Sequence, residues 1–415
     1  MDVISLLQQK RIVLAVTGSI AVYKAIDLAS KLTQAGALVD VVMTSAAQKF
    51  VAPLTFQAVT GRVVYTDMWN TDHAGGLPTH IAHVGLGEGT DLIAIVPATA
   101  HTMARLAQGM ADDLLTVTAL AARCPVLLAP AMDGGMYEHP ATQANVQTLV
   151  ERGAYLVAPE VGRFASGLSG RGRLPDTPTL IGHMRRVLGQ SGALAGKRVV
   201  VTAGGTREAI DPVRFISNHS SGKQGYAIAQ AAVDAGADVT LVSSVARPAP
   251  IGAQVVTVDS AQDLQAAVHA HALDPAADAL IMTAAVADFR PARRAEQKIK
   301  KQDDDAGLTL ELVRNPDILQ GIKDQRDHGQ AVPSVIVGFA AESQDVLHNA
   351  QRKLQRKGLS MIVANDITAS DAGFASDQNR VTILDTTGDA ETIDLTSKAQ
   401  IGERVIERVA ALLAD

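Results

Sequence analysis

The sequence predicts an α/β protein built on two doubly wound, mostly parallel sheets. Its two halves open alike, with "KRIVLAVTGSIAVYKAIDLASKLTQAGALVDVVMTSA" in the first and "KRVVVTAGGT…QGYAIAQAAVDAGADVTLVSSVA" in the second. Each runs from a basic pair through an apolar β-branched strand, a turn with Gly and an Ala-rich helix. An Ala-Gly-Ala stop and a second apolar strand follow, so a β-α-β unit is used twice. Hydrophobic residues make up 47% of the chain but aromatics only 3%. The apolar weight therefore lies in Ala, Val, Leu and Ile, which suits parallel strands covered by helices rather than β-sandwiches. A length of 415 residues predicts two or three domains. The small-residue stretch "LGQSGALAGK" reads as a linker and sets the boundary near residue 190, giving domains 1–190 and 191–415.

Taken in order, the first strand ends in "VTGSIA", which puts Gly18 and Ser19 between strand and helix. Backbone N–H groups at such a helix start suit a phosphate. The turn lacks Gly-x-Gly-x-x-Gly, which favours a mononucleotide over a dinucleotide. The second strands end in "VVMTSA" and "LVSSVA", without the acidic ribose ligand of a nicotinamide dehydrogenase. Further strands are "DLIAIVPATA" and "PVLLAPAM" in the first half, then "ALIMTAAVADF", "SVIVGFAAES" and "MIVANDI" in the second. Ligands bind at the carboxyl ends of strands in open α/β sheets, so position alone nominates Thr99, Asp133, Asp288, Glu342 and Asn365.

The second half inserts "REAIDPVRFISNHSSGK" between turn and helix, a long irregular stretch of the kind that is functional when ordered. Within it "NHSSGKQG" sets glycines, two serines and Lys223 before a helix. This is a cradle for phosphate without the P-loop spacing. "KIKKQDDDAG" reads as an exposed mobile loop.

A formal net charge of -6 and few aromatics argue against nucleic acid, which wants basic faces and stacking platforms. A single cysteine, Cys124, excludes an internal disulfide, fits a reducing cytosol and reads as a small core residue. The start "MDVISLLQQKR" is too short and polar for a signal peptide, and no apolar run reaches the roughly 20 residues of a membrane span. A cytoplasmic protein with no membrane partner is expected.

These motifs also carry a resemblance. GSIAxYK, PATAxTMARLAxGMADDLL and PAMDxxMYxxPATQxN resemble the flavin-containing cysteine decarboxylases. TAGGTREAIDPVRFISNHSSGKQG, AAVADFRP, KIKK, NPDIL, GFAAES and VANDI resemble phosphopantothenate–cysteine ligase. Over nearly its whole length the chain resembles the bacterial bifunctional phosphopantothenoylcysteine decarboxylase/phosphopantothenate–cysteine ligase family of coenzyme A synthesis. The resemblance implies a flavodoxin-like first domain and a Rossmann-like second.

For the first domain the resemblance implies FMN, held by Gly18, Ser19, Ile20, Thr44, Ser45 and Thr99. It implies a reaction in which the thiol-bearing carbon loses a hydride to the flavin, leaving a thioaldehyde that stabilises the carbanion formed as carbon dioxide departs. It also implies an acid–base histidine. Family spacing to Asp91 selects His83, with His80 the runner-up. Two positions depart from the family: Asp133 stands where Asn meets the substrate carboxylate, and Ser166 stands where a flap cysteine helps return the hydride.

For the second domain the resemblance implies CTP, magnesium with no ligands assigned, and an acyl-cytidylate resolved by the cysteine amine. Asn218 is expected to assist turnover of that intermediate, and Lys298, first of "KIKK", to neutralise phosphate charge. Arg214, Ser220, Ser221, Gly222 and Lys223 are expected around the substrate. Met282, Thr283, Ala284, Asp288, Asn315, Pro316, Asp317, Ile318, Phe339, Lys353 and Lys357 are expected around CTP. The partners implied are 4′-phosphopantothenate, cysteine, CTP and phosphopantothenoylcysteine. The implied assembly has trimers of first domains and dimers of second domains in a dodecamer. A ligase whose first half is only a flavin-binding oligomerisation scaffold stays open at this point.

Overall fold

A computed structural model describes residues 3–69, 77, 79, 81–300, 307–342, 346–366 and 376–414. The chain divides into two compact units, Met1–Leu188 and Gly189–Asp415.

The first unit runs β1 (Arg11–Val16), α1 (Val22–Gln34), β2 (Leu38–Met43), α2 (Pro53–Thr60), β3 (Val64–Tyr65), α3 (Ala82–Glu88), β4 (Leu92–Ala98) and α4 (Ala100–Gln108). It continues with α5 (Leu114–Ala121), β5 (Val126–Pro130), α6 (Gly134–Glu138), α7 (Pro140–Glu151), β6 (Tyr155–Leu156), β7 (Glu160–Arg163), β8 (Ser169–Arg173) and α8 (Thr177–Gly189). Six parallel strands lie in the order β3-β2-β1-β4-β5-β6. The order reverses between β1 and β4, the switch point where a crevice opens at the carboxyl ends.

Strand β1 shows why its sequence makes a strand buried on both sides. Ile12, Leu14 and Val16 pack on one face with Leu28 and Leu32 of α1 and Met184 of α8. Val13 and Ala15 pack on the other with Met103 of α4 and Leu115 of α5. The period of two puts an apolar residue on both faces, so the run is continuous rather than alternating.

The second unit runs β9 (Arg198–Ala203), β10 (Arg207–Ala209), β11 (Phe215–Ser217), α9 (Lys223–Asp234), β12 (Asp238–Ser243), β13 (Gln254–Thr257), α10 (Ala261–Ala272), β14 (Ala279–Met282) and β15 (Phe289–Pro291). After these come β16 (Leu312–Arg314), α11 (Ile318–Asp327), β17 (Val335–Glu342), α12 (Val346–Lys357), β18 (Met361–Asp366), β19 (Gln378–Asp385), β20 (Ala390–Ser397) and α13 (Lys398–Ala414). The sheet order is β13-β12-β9-β14-β17-β18-β19-β20, with β19 and β20 added antiparallel. Here the switch point lies between β9 and β14. Helices α9 and α13 cover one face through Ile228, Ala232, Ile401 and Val405. Helices α10, α11 and α12 cover the other through Leu264, Val268, Ile322 and Leu354.

The insertion expected to be irregular contains an antiparallel ladder, β10 with β11, and the stretch after β14 contains another, β15 with β16. No helix among the described residues is long and apolar enough to cross a membrane.

Candidate active sites

In the first unit the turn after β1 and the loops after β2 and β4 meet at the switch point. Thr17 Oγ1 donates to the Pro97 carbonyl at 2.6 Å and accepts the Thr99 N–H at 3.1 Å, which clamps the end of β1 to the end of β4. Thr99 then caps α4, its hydroxyl accepting from the Thr102 N–H. Ser19 Oγ donates to the Ala131 carbonyl at 3.4 Å, tying the same turn to the end of β5. Thr44 Oγ1 accepts the Ala47 N–H at 3.2 Å. A Cβ on Gly18 would lie 2.5 Å from the Ala46 Cβ, so only glycine lets the first turn press against the loop after β2. Ser45 and Ile20 are exposed. The six residues expected to hold FMN thus share one rim. Its hydroxyls, small-residue turn and helix start without a side-chain cap fit the phosphate of a mononucleotide.

The motif "ARLAQGMADDLL" has a structural account. Arg105 Nη1 reaches Asp113 Oδ2 at 2.7 Å and Nη2 pairs with Asp112. Asp113 caps α5 in a capping box with Thr116. Burial pushes the Asp113 carboxyl up, but the Thr116 N–H, Arg105 and the Thr116 hydroxyl outweigh it and hold the group below the usual carboxylate range.

The two departures from the family's pattern touch each other. Ser166 sits in the turn of the β7–β8 hairpin, and its Oγ donates to Asp133 Oδ2 at 2.8 Å. Asp133 also caps α6 by accepting the Gly135 N–H at 3.3 Å. His83 lies half-buried in the first turn of α3, and His80 falls outside the described residues. Cys124 is half-buried just before β5, and burial pushes its thiol up, away from reactivity.

In the second unit a cavity of about 900 Å³ opens over the carboxyl ends of β14, β17 and β18. Asn218, Ser220, Ser221, Gly222 and Lys223 enter it from the insertion and the start of α9. Gly222 takes φ +72°, a left-handed turn that a side chain would strain, and α9 starts directly after it. Met282, Thr283, Ala284 and Asp288 enter from the end of β14, and Phe339 from β17. Asn315, Pro316, Asp317 and Ile318 form the start of α11, while Lys353 and Lys357 come from α12.

Hydrogen bonds hold these loops in register. Asn218 Nδ2 donates to the Val286 carbonyl at 3.0 Å, joining the insertion to the β14 loop. Asn315 Nδ2 donates to the Ala287 carbonyl at 2.8 Å, joining the same loop to α11. Asp317 caps α11 and pairs with the buried ammonium of Lys357. Burial pushes the Asp317 carboxyl up, but Lys357 and the Gln320 N–H prevail and lower it. Asn365 also lines the cavity, and its buried Oδ1 has no partner among the described residues.

Two expected residues, Arg214 and Lys298, stand apart from the cavity lining. Arg214 is committed to the buried Asp211 through Nε at 2.9 Å and Nη2 at 2.6 Å, and Nη2 also donates to the Ile299 carbonyl at 2.6 Å. Asp211 accepts the Ile299 N–H in turn, so this pair ties the insertion to the stretch carrying the exposed Lys298. Although burial opposes it, the N–H of Val213 and the Arg214 guanidinium hold the Asp211 carboxyl far below its usual range. Glu342 ends β17, but its side chain lies outside the described residues. No group of His, Cys, Asp and Glu among the described residues is arranged to hold a metal ion by itself.

The cavity also includes Gln224, Arg356, Asn379 and Lys398, which motif reasoning missed. Asn379 and Lys398 belong to strands and helices after the last recognised motif, where a lone Asn and a lone Lys give no local signal.

Comparison with known proteins gives the lineage. Residues 4–189 match the Flavoprotein family model, and residues 194–413 match the DNA/pantothenate metabolism flavoprotein C-terminal domain. The chain is 44% identical over 411 residues to the Coenzyme A biosynthesis bifunctional protein CoaBC of Bacillus subtilis, covering 98% of each. It is 44% identical over 417 residues to the protein of that name from Mycolicibacterium smegmatis, again covering 98% of each. Among solved structures, the C-terminal domain of a CoaBC protein aligns at 38% identity over 54% of this chain and 100% of that one, with a TM-score of 0.45. With both halves matched and relatives aligned end to end, the chain belongs to the bifunctional coenzyme A biosynthesis protein family, a flavoprotein half joined to a pantothenate-metabolism half.

Proposed function

We propose that the chain carries out two consecutive steps of coenzyme A synthesis. Residues 191–415 use CTP to join cysteine to 4′-phosphopantothenate through an acyl-cytidylate. Residues 1–190 use FMN to decarboxylate the resulting phosphopantothenoylcysteine to 4′-phosphopantetheine. The observation that carries the reading is the second unit's cavity, which gathers Asn218, Asp288, the start of α11 and the two lysines of α12 at one switch point.

In the ligase step the substrate carboxylate attacks the α-phosphorus of CTP and pyrophosphate leaves. The cysteine amine then attacks the acyl carbon, CMP leaves and the amide forms. Lys353 and Arg356 of α12 offer positive charge for a triphosphate, beside Lys357, which Asp317 holds in place. Magnesium accompanies that triphosphate as part of the substrate. The amide of Asn218 has two hydrogens, and the Val286 carbonyl takes one, which leaves the other for the acyl oxygen. Lys298 approaches from the stretch that Arg214 and Asp211 tether.

In the first unit FMN supplies the two-electron chemistry at the thiol-bearing carbon. The residues' tasks are binding and proton handling. Gly18, Ser19 and Thr99 hold the phosphate end, and His83 works as acid–base group. Ser166 and Asp133 form a hydroxyl–carboxylate pair at the substrate's side. Relatives named as bifunctional and aligned over 98% of the chain support chemistry in this unit rather than a scaffold role. Assembly through trimers of first domains and dimers of second domains, and a cytoplasmic location, complete the proposal.

The test is to supply purified protein with 4′-phosphopantothenate, cysteine and each nucleoside triphosphate, and to follow pyrophosphate and carbon dioxide. CTP with magnesium should drive both. Equal or greater turnover with ATP, or ligation without carbon dioxide release, would refute the corresponding half of the reading.

A further inference from the structure

Helix α12 reads VLHNAQRKLQRK, with Arg352, Lys353, Arg356 and Lys357 and not one carboxylate. Arg352 and Arg356 are four residues apart, and so are Lys353 and Lys357. Like charges at that spacing share a helix face and destabilise it. Lys357 is compensated, since it is buried and paired with Asp317. The negative end of the helix dipole also favours Arg356 and Lys357, which lie in the last turn. That effect fades within one turn, so it gives Arg352 and Lys353 no structural reason to be there.

A hollow of about 260 Å³ lies on this helix, lined by Asn349, Arg352, Lys353 and Arg356. Lys353 and Arg356 also line the ligase cavity, so they stand between the two spaces. Arg352 lines the small hollow and not the cavity. Arg352 and Arg356 are exposed. Among the described residues no carboxylate stands within ion-pair distance of Arg352, Lys353 or Arg356. Asp317 feels the charge of Arg356, but its carboxylate is bonded to Lys357. The hollow is smaller than the roughly 300 Å³ at which small-molecule pockets begin. It is too small for a nucleotide and suits a compact polyanion.

Ligation releases such an anion. When the carboxylate attacks the α-phosphorus, the bond from that phosphorus to its bridging oxygen breaks, and pyrophosphate leaves with the electron pair. The cations of α12 run from the buried Lys357 through Lys353 and Arg356 to the exposed Arg352, out of the cavity. A series of that kind draws a departing polyanion outwards. We propose that the hollow on α12, with Arg352 as its outer guanidinium, is a second anion site that takes up pyrophosphate after it leaves CTP. This rests on the ligase reading above.

The experiment measures equilibrium binding of labelled pyrophosphate to the full chain at fixed free magnesium, without CTP and with saturating CTP. The acid substrate is left out, so nothing turns over. The wild type should bind pyrophosphate with CTP in place. Arg352→Gln should weaken that binding by about tenfold, the lower end for losing a hydrogen bond to a charged group, and Arg352→Glu should weaken it further. The Kd for CTP should stay within about threefold, a change worth less than one such bond. Arg352 is exposed and repels Arg356, so the glutamine variant should fold at least as well as the wild type. Displacement of all pyrophosphate by CTP overturns the proposal, because the two would then share one subsite. Pyrophosphate binding unchanged in Arg352→Gln overturns it, and so does an equal loosening of CTP. A wild type that neither binds CTP nor ligates overturns the ligase reading and this proposal with it. A wild type that ligates with CTP but fails these binding tests overturns only this one.

Discussion

Replacing Asp133 with Asn tests the first unit at the place where it departs from its family. The perturbation is small in structure. Asp133 caps α6 through the Gly135 N–H at 3.3 Å, and Asn is as good a cap as Asp. The amide nitrogen would face Ser166 Oγ, now 2.8 Å from the carboxylate, and the hydroxyl would turn from donor to acceptor. On the proposed placement of Asp133, what changes is one negative charge facing the substrate carboxylate. Two unit charges about 4 Å apart repel by ~1 kcal/mol in water and ~4 kcal/mol at an effective dielectric of about 20. The Asp133–Ser166 pair is exposed, so the lower part of that range applies. About 1–2 kcal/mol corresponds to roughly a five- to thirtyfold fall in KM for phosphopantothenoylcysteine. The assay is carbon dioxide release from that substrate at low and moderate salt, with melting temperature as a control for folding. The gain should shrink as salt screens it. A KM that rises, or one that is unchanged at low salt, would refute the placement of Asp133 against the carboxylate.

His83→Asn should abolish carbon dioxide release while leaving the flavin absorbance and the ligase rate unchanged, and His80→Asn should be milder. Retained decarboxylation in the His83 variant would remove it from the chemistry. Asn218→Ala should let acyl-cytidylate accumulate, detectable by mass spectrometry, and Lys298→Gln should slow overall turnover; an Asn218 variant that ligates at the original rate ends its assigned role. Asp113→Asn keeps the cap on α5 but loses the charge paired with Arg105. Because the folded carboxyl is depressed, its contribution is present above the unfolded pKa near 3.8 and is lost as pH falls through the lower folded value. Urea melts should therefore show the wild type ahead at pH 7 by roughly 1 kcal/mol. The two proteins should converge once the pH has fallen through the folded value.

Local rules sufficed for much of this protein. The β-α-β openings were legible because burial on both faces imposes a continuous apolar run, as Ile12 to Val16 and Val199 to Val201 show. Strand ends were legible because small and polar residues interrupt those runs, and the ligand crevice lies there by the geometry of any open parallel sheet. The motifs around Gly18, Thr99, Asn218 and Asp288 were therefore readable with no coordinates. Other features needed the assembled sheet. Strand order decides which ends are neighbours, and it brings Gln224 within 3.1 Å of Lys398 across 174 residues. Lys398 opens a helix and looks locally like any solvated lysine, yet it is buried in the ligase cavity. Arg214 sits inside the most recognisable motif, yet its guanidinium serves Asp211 and Ile299. The Asp133–Ser166 contact joins positions 33 residues apart through a hairpin that folds back on its own loop. Periodicity and turn chemistry act over a few residues and are written in the sequence. The convergence of charges and hydroxyls depends on crossovers and packing between distant segments, and only the tertiary structure decides it.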